Sequence, residues 1–298
     1  MPLVPIPQLI ARAQSGSYAI GYFESWNFES LSGVIDAAEQ SGSPIIIGFN
    51  GDFLSRPERG AAERLSWYGA LGKAAAVNAK VPVGFIFNEC PRDEWVMRAC
   101  DEGFNLVMPS DPAAPYEEYV RRVSAVVAHA RERGVAVEAE IGELPCGESG
   151  EIVNHGTLPT DPAQAADFAQ RTQVDLLAVS VGNIHIMIAG EQDLDLDLLG
   201  KIHKATPVPL VLHGGSGISG DSLKQAAAFG VVKVNYGTYL KQWYLDAIRE
   251  RLPQAGCNPH EVLGIGGDED LMVAGRLAVR DAVLSRIELL GCCGKAGS

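Results

Sequence analysis

Short apolar runs rich in β-branched residues recur along the chain, separated by longer segments with amphipathic spacing. Such runs predict β-strands, and apolar residues at every third or fourth position predict helices. The predicted strands are residues 18–23, 44–49, 81–87, 105–108, 136–141, 175–181, 208–213 and 231–235. The predicted helices are residues 28–40, 61–79, 92–102, 116–133, 161–170, 194–205, 221–229 and 238–251.

The alternation of strands and helices decides the architecture. The apolar runs do not alternate strictly with polar residues, which indicates strands that are buried on both faces. The helices between them indicate right-handed crossovers, so we expect a parallel sheet. Eight such units in 298 residues predict a (β/α)8 TIM barrel. A doubly wound sheet is the alternative, but it does not demand eight units, and no Gly-x-Gly-x-x-Gly follows the first strand. We expect a single domain over residues 1–298, with residues 253–298 as a C-terminal helical appendage.

Composition and charge narrow the functional classes. Hydrophobic residues make up 47% of the chain and charged residues 20%, which excludes a disordered protein. The formal net charge of −13 repels both nucleic acid and an anionic membrane surface. No apolar run approaches the ~20 residues that a membrane span requires, and residues 1–17 lack a signal-peptide core. We therefore expect a cytoplasmic protein without nucleic-acid or membrane partners, whose six cysteines are reduced.

Polar and ionisable residues concentrate where the predicted strands end. Asn88 and Glu89 follow the third strand, Glu140 lies at the end of the fifth, His185 follows the sixth, and His213 ends the seventh. In a barrel these ends meet at one face, which carries the active site. Imidazole and carboxylate together are the ligands of Zn²⁺ or a related divalent ion. Each histidine alone has a second interpretation, as a polar residue at the edge of the core.

Glycine-rich segments follow the last two strands. The seventh strand leads into Gly214-Gly215-Ser216-Gly217, and the eighth into Asn235-Tyr236-Gly237-Thr238 at the start of a helix. Glycines let backbone N–H groups approach an anion, and a helix N-terminus attracts negative charge. These positions predict a phosphate site, whereas a tight turn is the alternative interpretation of the glycines.

Four segments resemble the motifs of one known family. Residues 137–142 read Val-Glu-Ala-Glu-Ile-Gly, residues 178–185 read Ala-Val-Ser-Val-Gly-Asn-Ile-His, residues 208–217 read Val-Pro-Leu-Val-Leu-His-Gly-Gly-Ser-Gly, and residues 233–235 read Lys-Val-Asn. They are similar to motifs of the class II, metal-dependent fructose-bisphosphate and tagatose-bisphosphate aldolases. The resemblance extends over nearly the whole chain, from Pro2 to the tail at residues 291–296. It implies homodimers or homotetramers.

The resemblance also implies roles for individual residues. His185 and His213 are implied as metal ligands, with Glu140 beside them. Asn235 is implied to contact the enediolate, and Glu148 to carry the proton at the ketose carbon. The implied cofactor is a divalent metal, Zn²⁺ before Mn²⁺ or Co²⁺, with a monovalent cation near the phosphate. The phosphorylated substrate is expected at Asn27, Gly182, Gly214, Gly215, Ser216, Asn235, Gly237 and Thr238.

The chain departs from the family pattern after the third strand. Asn88 stands where the family has its catalytic aspartate, and Glu89 stands where it has a third metal-binding histidine. An amide is no general acid or base near neutral pH, so the usual proton path is missing, although Glu89 is still expected to ligate the metal. Residues 49–51, Phe-Asn-Gly, replace a small Gly-Ser or Gly-Thr element, and Glu24 occupies a position that is commonly Asn.

These observations predict a metal-dependent aldolase that cleaves a phosphorylated ketose or related substrate through a metal-stabilised enediolate. An isomerase, an epimerase or a non-sugar aldolase on the same scaffold is the first alternative, since none of these needs an acid at Asn88. A non-catalytic protein that binds a phosphorylated ligand is the second. Schiff-base chemistry at Lys233 is the least favoured, because the sixth strand has no lysine.

Overall fold

The computed structural model describes residues 2–142, 144, 158–185 and 190–297. Eight parallel strands pair in sequence order and close into a barrel, which confirms the predicted (β/α)8 architecture. The strands are β1 (Ile20–Glu24), β2 (Ile45–Asn50), β3 (Val83–Cys90), β4 (Leu106–Pro109), β5 (Ala136–Ile141), β6 (Leu176–Val179), β7 (Leu210–Leu212) and β8 (Val231–Tyr236). Glu148, the expected proton carrier, lies outside the described residues.

Helices surround the barrel, and the chain returns from each strand to the next through at least one of them. They are α1 (Ile6–Gly16), α2 (Phe28–Ser41), α3 (Gly51–Ser55), α4 (Leu65–Asn78), α5 (Asp93–Ala99), α6 (Tyr116–Arg131), α7 (Pro162–Thr172), α8 (Leu196–Ala205), α9 (Gly220–Ala226), α10 (Thr238–Arg251), α11 (Pro259–Val262) and α12 (Leu271–Leu289). The described cysteines are free thiols. Within the described ranges, no helix combines the length and the apolar character needed to cross a membrane.

Among the described residues, two helices lie where no helix was predicted. The first, α1, buries Ile6, Leu9 and Ile10, and it packs against the start of β3, where a methyl group added at Gly84 would lie 2.7 Å from Ile6 Cδ1. The second, α3, is a single short helix directly after β2, capped by the side chain of Asn50. Both are short segments fixed by contacts with the barrel, so their formation depends on tertiary packing.

The predicted C-terminal appendage packs closely on the barrel helices. The long helix α12 lies against α2, where a methyl group at Gly33 would come 2.5 Å from the carbonyl oxygen of Arg276. The Arg276 guanidinium also pairs with Asp36 of α2 through two contacts of 2.6 and 2.8 Å. Small residues and a bidentate ion pair therefore hold the tail onto the outer layer of helices.

Candidate active site

The carboxyl ends of the strands surround a cavity of about 680 Å³. Eight residues expected at the site line it: Asn88, Glu89, His185, Gly214, Ser216, Asn235, Gly237 and Thr238. They come from the ends of β3 and β8, from the loops after β6, β7 and β8, and from the first residue of α10, which are distant in sequence. Closure of the barrel therefore brings most of the expected site together at one end.

Two carboxylates lie beside the histidines. Every residue in the eight strands is buried except Glu89 and Glu140, which are partly exposed. Oε1 of Glu89 lies 2.9 Å from Nδ1 of His213 and 3.7 Å from Nε2 of His185. Oε1 of Glu140, which lines a neighbouring cavity of about 310 Å³, lies 3.5 Å from the same His213 nitrogen. The four residues expected at the metal are thus adjacent.

An irregularity in β3 aims Glu89 at the histidines. This strand was expected to end at Phe87, but it continues to Cys90, and its register with β4 shifts between these two residues. Glu89 has a φ of +51°, in the left-handed region that side chains other than glycine rarely adopt. Bulges redirect side chains, and strained backbone is concentrated at functional sites. Glu89 therefore lies inside the extended strand, at the register shift, whereas the sequence pattern placed it directly after the strand end.

Behind His213 lies a buried ion pair inside the barrel. His213 Nε2 contacts Oε1 of Glu138 at 3.0 Å, and the Lys233 ammonium donates to the same oxygen at 3.0 Å. Glu138 and Lys233 are both fully buried. A carboxylate that accepts from one imidazole nitrogen fixes the tautomer and leaves the other nitrogen, here Nδ1, facing the site. The role of Glu138 was not predicted from the sequence, although its spacing of two from Glu140 puts both residues on one strand face.

The carboxylates around His213 control its protonation. Burial by itself would lower the pKa of the His213 imidazole. The three surrounding carboxylates, led by Glu140, outweigh burial and raise that pKa to about 10. For Glu89, burial raises the pKa, but His185 and His213 lower it well below its usual range. The cluster therefore carries negative charge that stabilises a cation at His213.

The two imidazoles and two carboxylates offer the kinds of nitrogen and oxygen atoms that a divalent ion binds. In the structure, these side chains form ion pairs with one another. In the described ranges, no group of three or more His, Cys, Asp or Glu residues has the geometry of a formed metal site. Nδ1 of His213 and Oε1 of Glu140 are buried without a well-aligned hydrogen-bond partner among the described residues. Such nitrogen and oxygen atoms are the donors that Zn²⁺ and its neighbours accept, and a metal ion competes with the proton for them.

The glycine-rich segments place backbone at the wall of the cavity. Gly214 has a φ of +66°, and a methyl group there would lie 2.1 Å from the carbonyl oxygen of Ile184, so glycine is required. The 14-residue helix α10 begins at the cavity, where Gly237 is its N-cap and Ser216 Oγ accepts from the Tyr239 N–H at 3.2 Å. The helix N-terminus supplies a positive potential suited to an anion.

Two asparagine amides on the cavity wall have unused polar atoms. Asn88 is 2% exposed, and its Oδ1 has no partner among the described residues. Asn235 accepts from the Lys233 ammonium at 2.5 Å through Oδ1, whereas its Nδ2 has no partner in the same ranges. Because both residues line the cavity, these atoms are available to hydrogen-bond a substrate oxygen.

The cavity also contains an ion pair that was not predicted from the sequence. The Lys241 ammonium lies 2.5 Å from Oε1 of Glu24 and 4.4 Å from the centre of the Phe53 ring. Glu24 is buried, and burial raises the pKa of its carboxyl group despite the nearby ammonium. Lys241 lies three residues after Thr238, one turn into the predicted helix. This spacing could have indicated that its side chain lies on the same side of the helix as Thr238, near the site.

Several expected site residues lie away from this cavity. Asn27 is the N-cap of α2, where its Oδ1 accepts from the Ser30 N–H and its Nδ2 donates to the Tyr244 hydroxyl. Gly182 and Gly215 pack against neighbouring segments and are absent from the cavity lining. The structure thus gives Asn27 a local structural contact, while the substrate role expected for these three residues stays a prediction.

A closed barrel with histidines, carboxylates and glycine-rich loops at the carboxyl ends of its strands has the layout of a barrel enzyme. The chain belongs to the family described as fructose-bisphosphate aldolase class-II, which matches residues 4–295. Membership of this family supports the assignment of the protein as an aldolase, which is a carbon–carbon lyase. The family is generally metal-dependent. The resemblance found in the sequence motifs is confirmed.

Named relatives agree with the family over the full length of the chain. A fructose-bisphosphate aldolase of Geobacillus stearothermophilus is 32% identical, with 99% of both chains covered. The crystal structure of the YdjI aldolase from Escherichia coli K12 is 33% identical, covers 99% of each chain and has a TM-score of 0.81. A putative fructose-1,6-biphosphate aldolase from Coccidioides immitis is 26% identical, covers 98% of this chain and 97% of its own, and has a TM-score of 0.82.

Proposed function

We propose that the protein is a divalent-metal-dependent aldolase that cleaves a phosphorylated ketose. One observation carries the proposal: His213, held from behind by Glu138, faces Oε1 of Glu89, and His185 lies 3.7 Å from the same oxygen. A pure binding protein has no use for an imidazole oriented by a buried carboxylate and sharing a second carboxylate with another imidazole. The direct test is a screen of phosphorylated ketoses with the metal-replete protein. Cleavage to dihydroxyacetone phosphate and an aldehyde supports the proposal, and a metal-bound protein inert toward all of them contradicts it.

His185, His213 and Glu89 would hold the ion, with Glu140 beside them. Two imidazoles and one carboxylate suit Zn²⁺, and Mn²⁺ or Co²⁺ accept the same donors. When bound, the ion would act as a Lewis acid toward the ketose carbonyl. The carboxylate in place of a third imidazole adds negative charge, which lowers that acidity relative to three neutral ligands.

The remaining residues would bind and orient the substrate. The phosphate would lie at the start of α10, where Gly214, Ser216 and Thr238 line the cavity. The unpartnered amide atoms of Asn235 and Asn88 would hydrogen-bond oxygens of the reacting carbons. Glu148, outside the described residues, would carry the proton at the ketose carbon.

Asn88 favours a second candidate function. A buried amide at this position orients a hydroxyl group but transfers no proton, so cleavage next to that hydroxyl lacks its usual acid and base. An isomerase or epimerase would use the same substrate site without that step. The screen separates the two functions, because cleavage releases two products and isomerisation or epimerisation releases one.

The first prediction concerns metal content. Protein purified in the presence of Zn²⁺ is expected to hold about one ion per chain. Alanine at both His185 and His213 removes two nitrogen donors and is expected to lower the content at least tenfold. Elemental analysis measures it, with alanine at the exposed His203 and His260 as the matched control. Full metal content after loss of both site histidines would show that the ion binds elsewhere.

The second prediction concerns Glu89 alone. Glu89→Gln keeps the size of the side chain and removes its charge, so metal affinity is expected to fall about tenfold or more. Competition with a chromogenic chelator measures the affinity. Glu288→Gln, an exposed change on α12, is the control and is expected to have no effect. An unchanged affinity in the Glu89 variant would remove this carboxylate from the ligand set.

A further inference from the structure

Two residues at which this chain departs from the family pattern touch each other. Asn50 stands in the segment where the family has Gly-Ser or Gly-Thr, and Glu89 stands where it has histidine. The register of β2 and β3 places Asn50 opposite Asn88, next to Glu89. Nδ2 of Asn50 donates to Oε2 of Glu89 at 2.9 Å. The two departures therefore form one structural unit.

The amide of Asn50 is fixed at both ends. Its Oδ1 accepts from the Phe53 N–H at 3.1 Å and so caps the start of α3. Because a backbone N–H can only donate, this contact assigns the oxygen of the amide and turns Nδ2 toward Glu89. Asn50 is 7% exposed, which leaves little room for another arrangement.

Gly51 brings the capped helix against the strand that carries Glu89. A methyl group added at Gly51 would lie 2.5 Å from Cβ of Cys90 and 2.9 Å from the Phe87 ring, distances that only glycine permits. The start of α3 is therefore packed directly on the end of β3. Asn50 is held at a fixed distance from Glu89 by this contact as well as by the sheet.

The contact with Asn50 determines how Glu89 presents its carboxylate. The terminal torsion of a glutamate is broad, so the backbone alone does not set the plane of the carboxylate. Asn50 engages Oε2, and the other oxygen, Oε1, faces Nδ1 of His213 at 2.9 Å and Nε2 of His185 at 3.7 Å. One oxygen is thus anchored and one faces the imidazoles.

We propose that Asn50 is a positioning residue that holds Glu89 as a one-oxygen ligand for the divalent ion. The proposal rests on the proposed function in one respect, the assignment of Glu89 as a ligand. A smaller residue at position 50 would lack a donor that reaches Oε2 of Glu89. Partners behind a ligating carboxylate typically contribute 10–100-fold to metal affinity.

Two variants of Asn50 separate positioning from helix capping. Asn50→Ser and Asn50→Asp both retain an oxygen that caps α3 well, but neither donates to Glu89. Titration with Co²⁺, followed by visible absorption, is expected to show about 10–100-fold weaker binding for the serine variant. The aspartate variant loses the same donor but adds a carboxylate that attracts the cation, so its affinity is expected to fall less than that of the serine variant. Asn258→Ser, the same change at the N-cap of α11, is the control and is expected to bind Co²⁺ normally.

A double-variant cycle decides whether Asn50 acts through Glu89. In a Glu89→Ala background, Asn50→Ser is expected to cause no further loss of Co²⁺ affinity. An equal loss in both backgrounds, or no loss in the native background, would overturn the proposal.

The metal-free protein gives an independent readout. The decreases in melting temperature of the two single variants should be less than additive when combined, even if the native protein binds no Co²⁺ and the proposed function fails. If the two decreases in melting temperature were strictly additive, the contact between Asn50 and Glu89 would be contradicted.

Discussion

Lys233→Met is expected to lower the free energy of unfolding by about 3–5 kcal/mol, the usual cost of removing one partner from a buried ion pair. Lys233 is fully buried, and its ammonium lies 2.8 Å from Oε2 of Glu138 and 5.1 Å from the centre of the Tyr22 ring. Methionine fills a similar volume, so the loss arises from the charge left on Glu138 rather than from a cavity. Urea denaturation measures the change.

Removing the second charge tests this explanation. Glu138→Gln combined with Lys233→Met leaves no uncompensated charge, and the amide oxygen still accepts from His213, so most of the lost stability is expected to return. Lys224→Met breaks an exposed pair with Asp221 and is expected to change stability by less than about 0.5 kcal/mol. A double variant as unstable as Lys233→Met alone would mean that the lysine stabilises the barrel by another route.

The same ion pair bears on the chemistry of Lys233. The pKa of Glu138 is lowered, because the ammonium of Lys233 and the imidazole of His213 outweigh the effect of burial. Lys233 is not among the residues that line the 680 Å³ cavity. Its ammonium is engaged by Glu138 and Asn235, which provides no support for the Schiff-base alternative.

The fold could be predicted because local pattern and global architecture agree. Residues 136–141 form a strand both in the pattern and in the structure, and α10 has the bounds expected from its spacing. The carboxyl ends of the strands meet at one face of a parallel barrel, so the convergence of His185, His213 and Glu89 could be predicted from their positions at strand ends.

Other features depend on contacts that no local pattern contains. The extension of β3 to Cys90 needs pairing with β4, and the left-handed backbone at Glu89 needs the bulge that this pairing creates. The apolar run that predicts this strand stops at Phe87, because the next two residues are polar. The role of Asn50 was hidden for the same reason, since its partner is 39 residues away in sequence.

The last prediction concerns Asn88→Asp combined with Glu89→His, which restores the family residues at both positions. We expect this double variant to lose the native reaction by about 10–100-fold or more without gaining cleavage of fructose or tagatose bisphosphate. The carboxylate of Glu89 is built into a contact with Asn50, and Glu24 and Lys241 still shape the cavity. Coupled aldolase assays on both sugar bisphosphates, alongside the best substrate from the ketose screen, measure the two activities.

The opposite outcome has an equally definite meaning. If the protein were a sugar-bisphosphate aldolase that had simply lost activity, the double variant would cleave these substrates, since an acid then reaches the hydroxyl and the ion regains a neutral third ligand. Solvent exchange of the dihydroxyacetone phosphate protons provides the control. Exchange needs the metal site, the phosphate loop and Glu148 but not Asn88, so the native protein is expected to catalyse it. Absence of exchange in the metal-replete native protein would contradict every aldolase reaction that begins from this donor, whatever residues occupy positions 88 and 89.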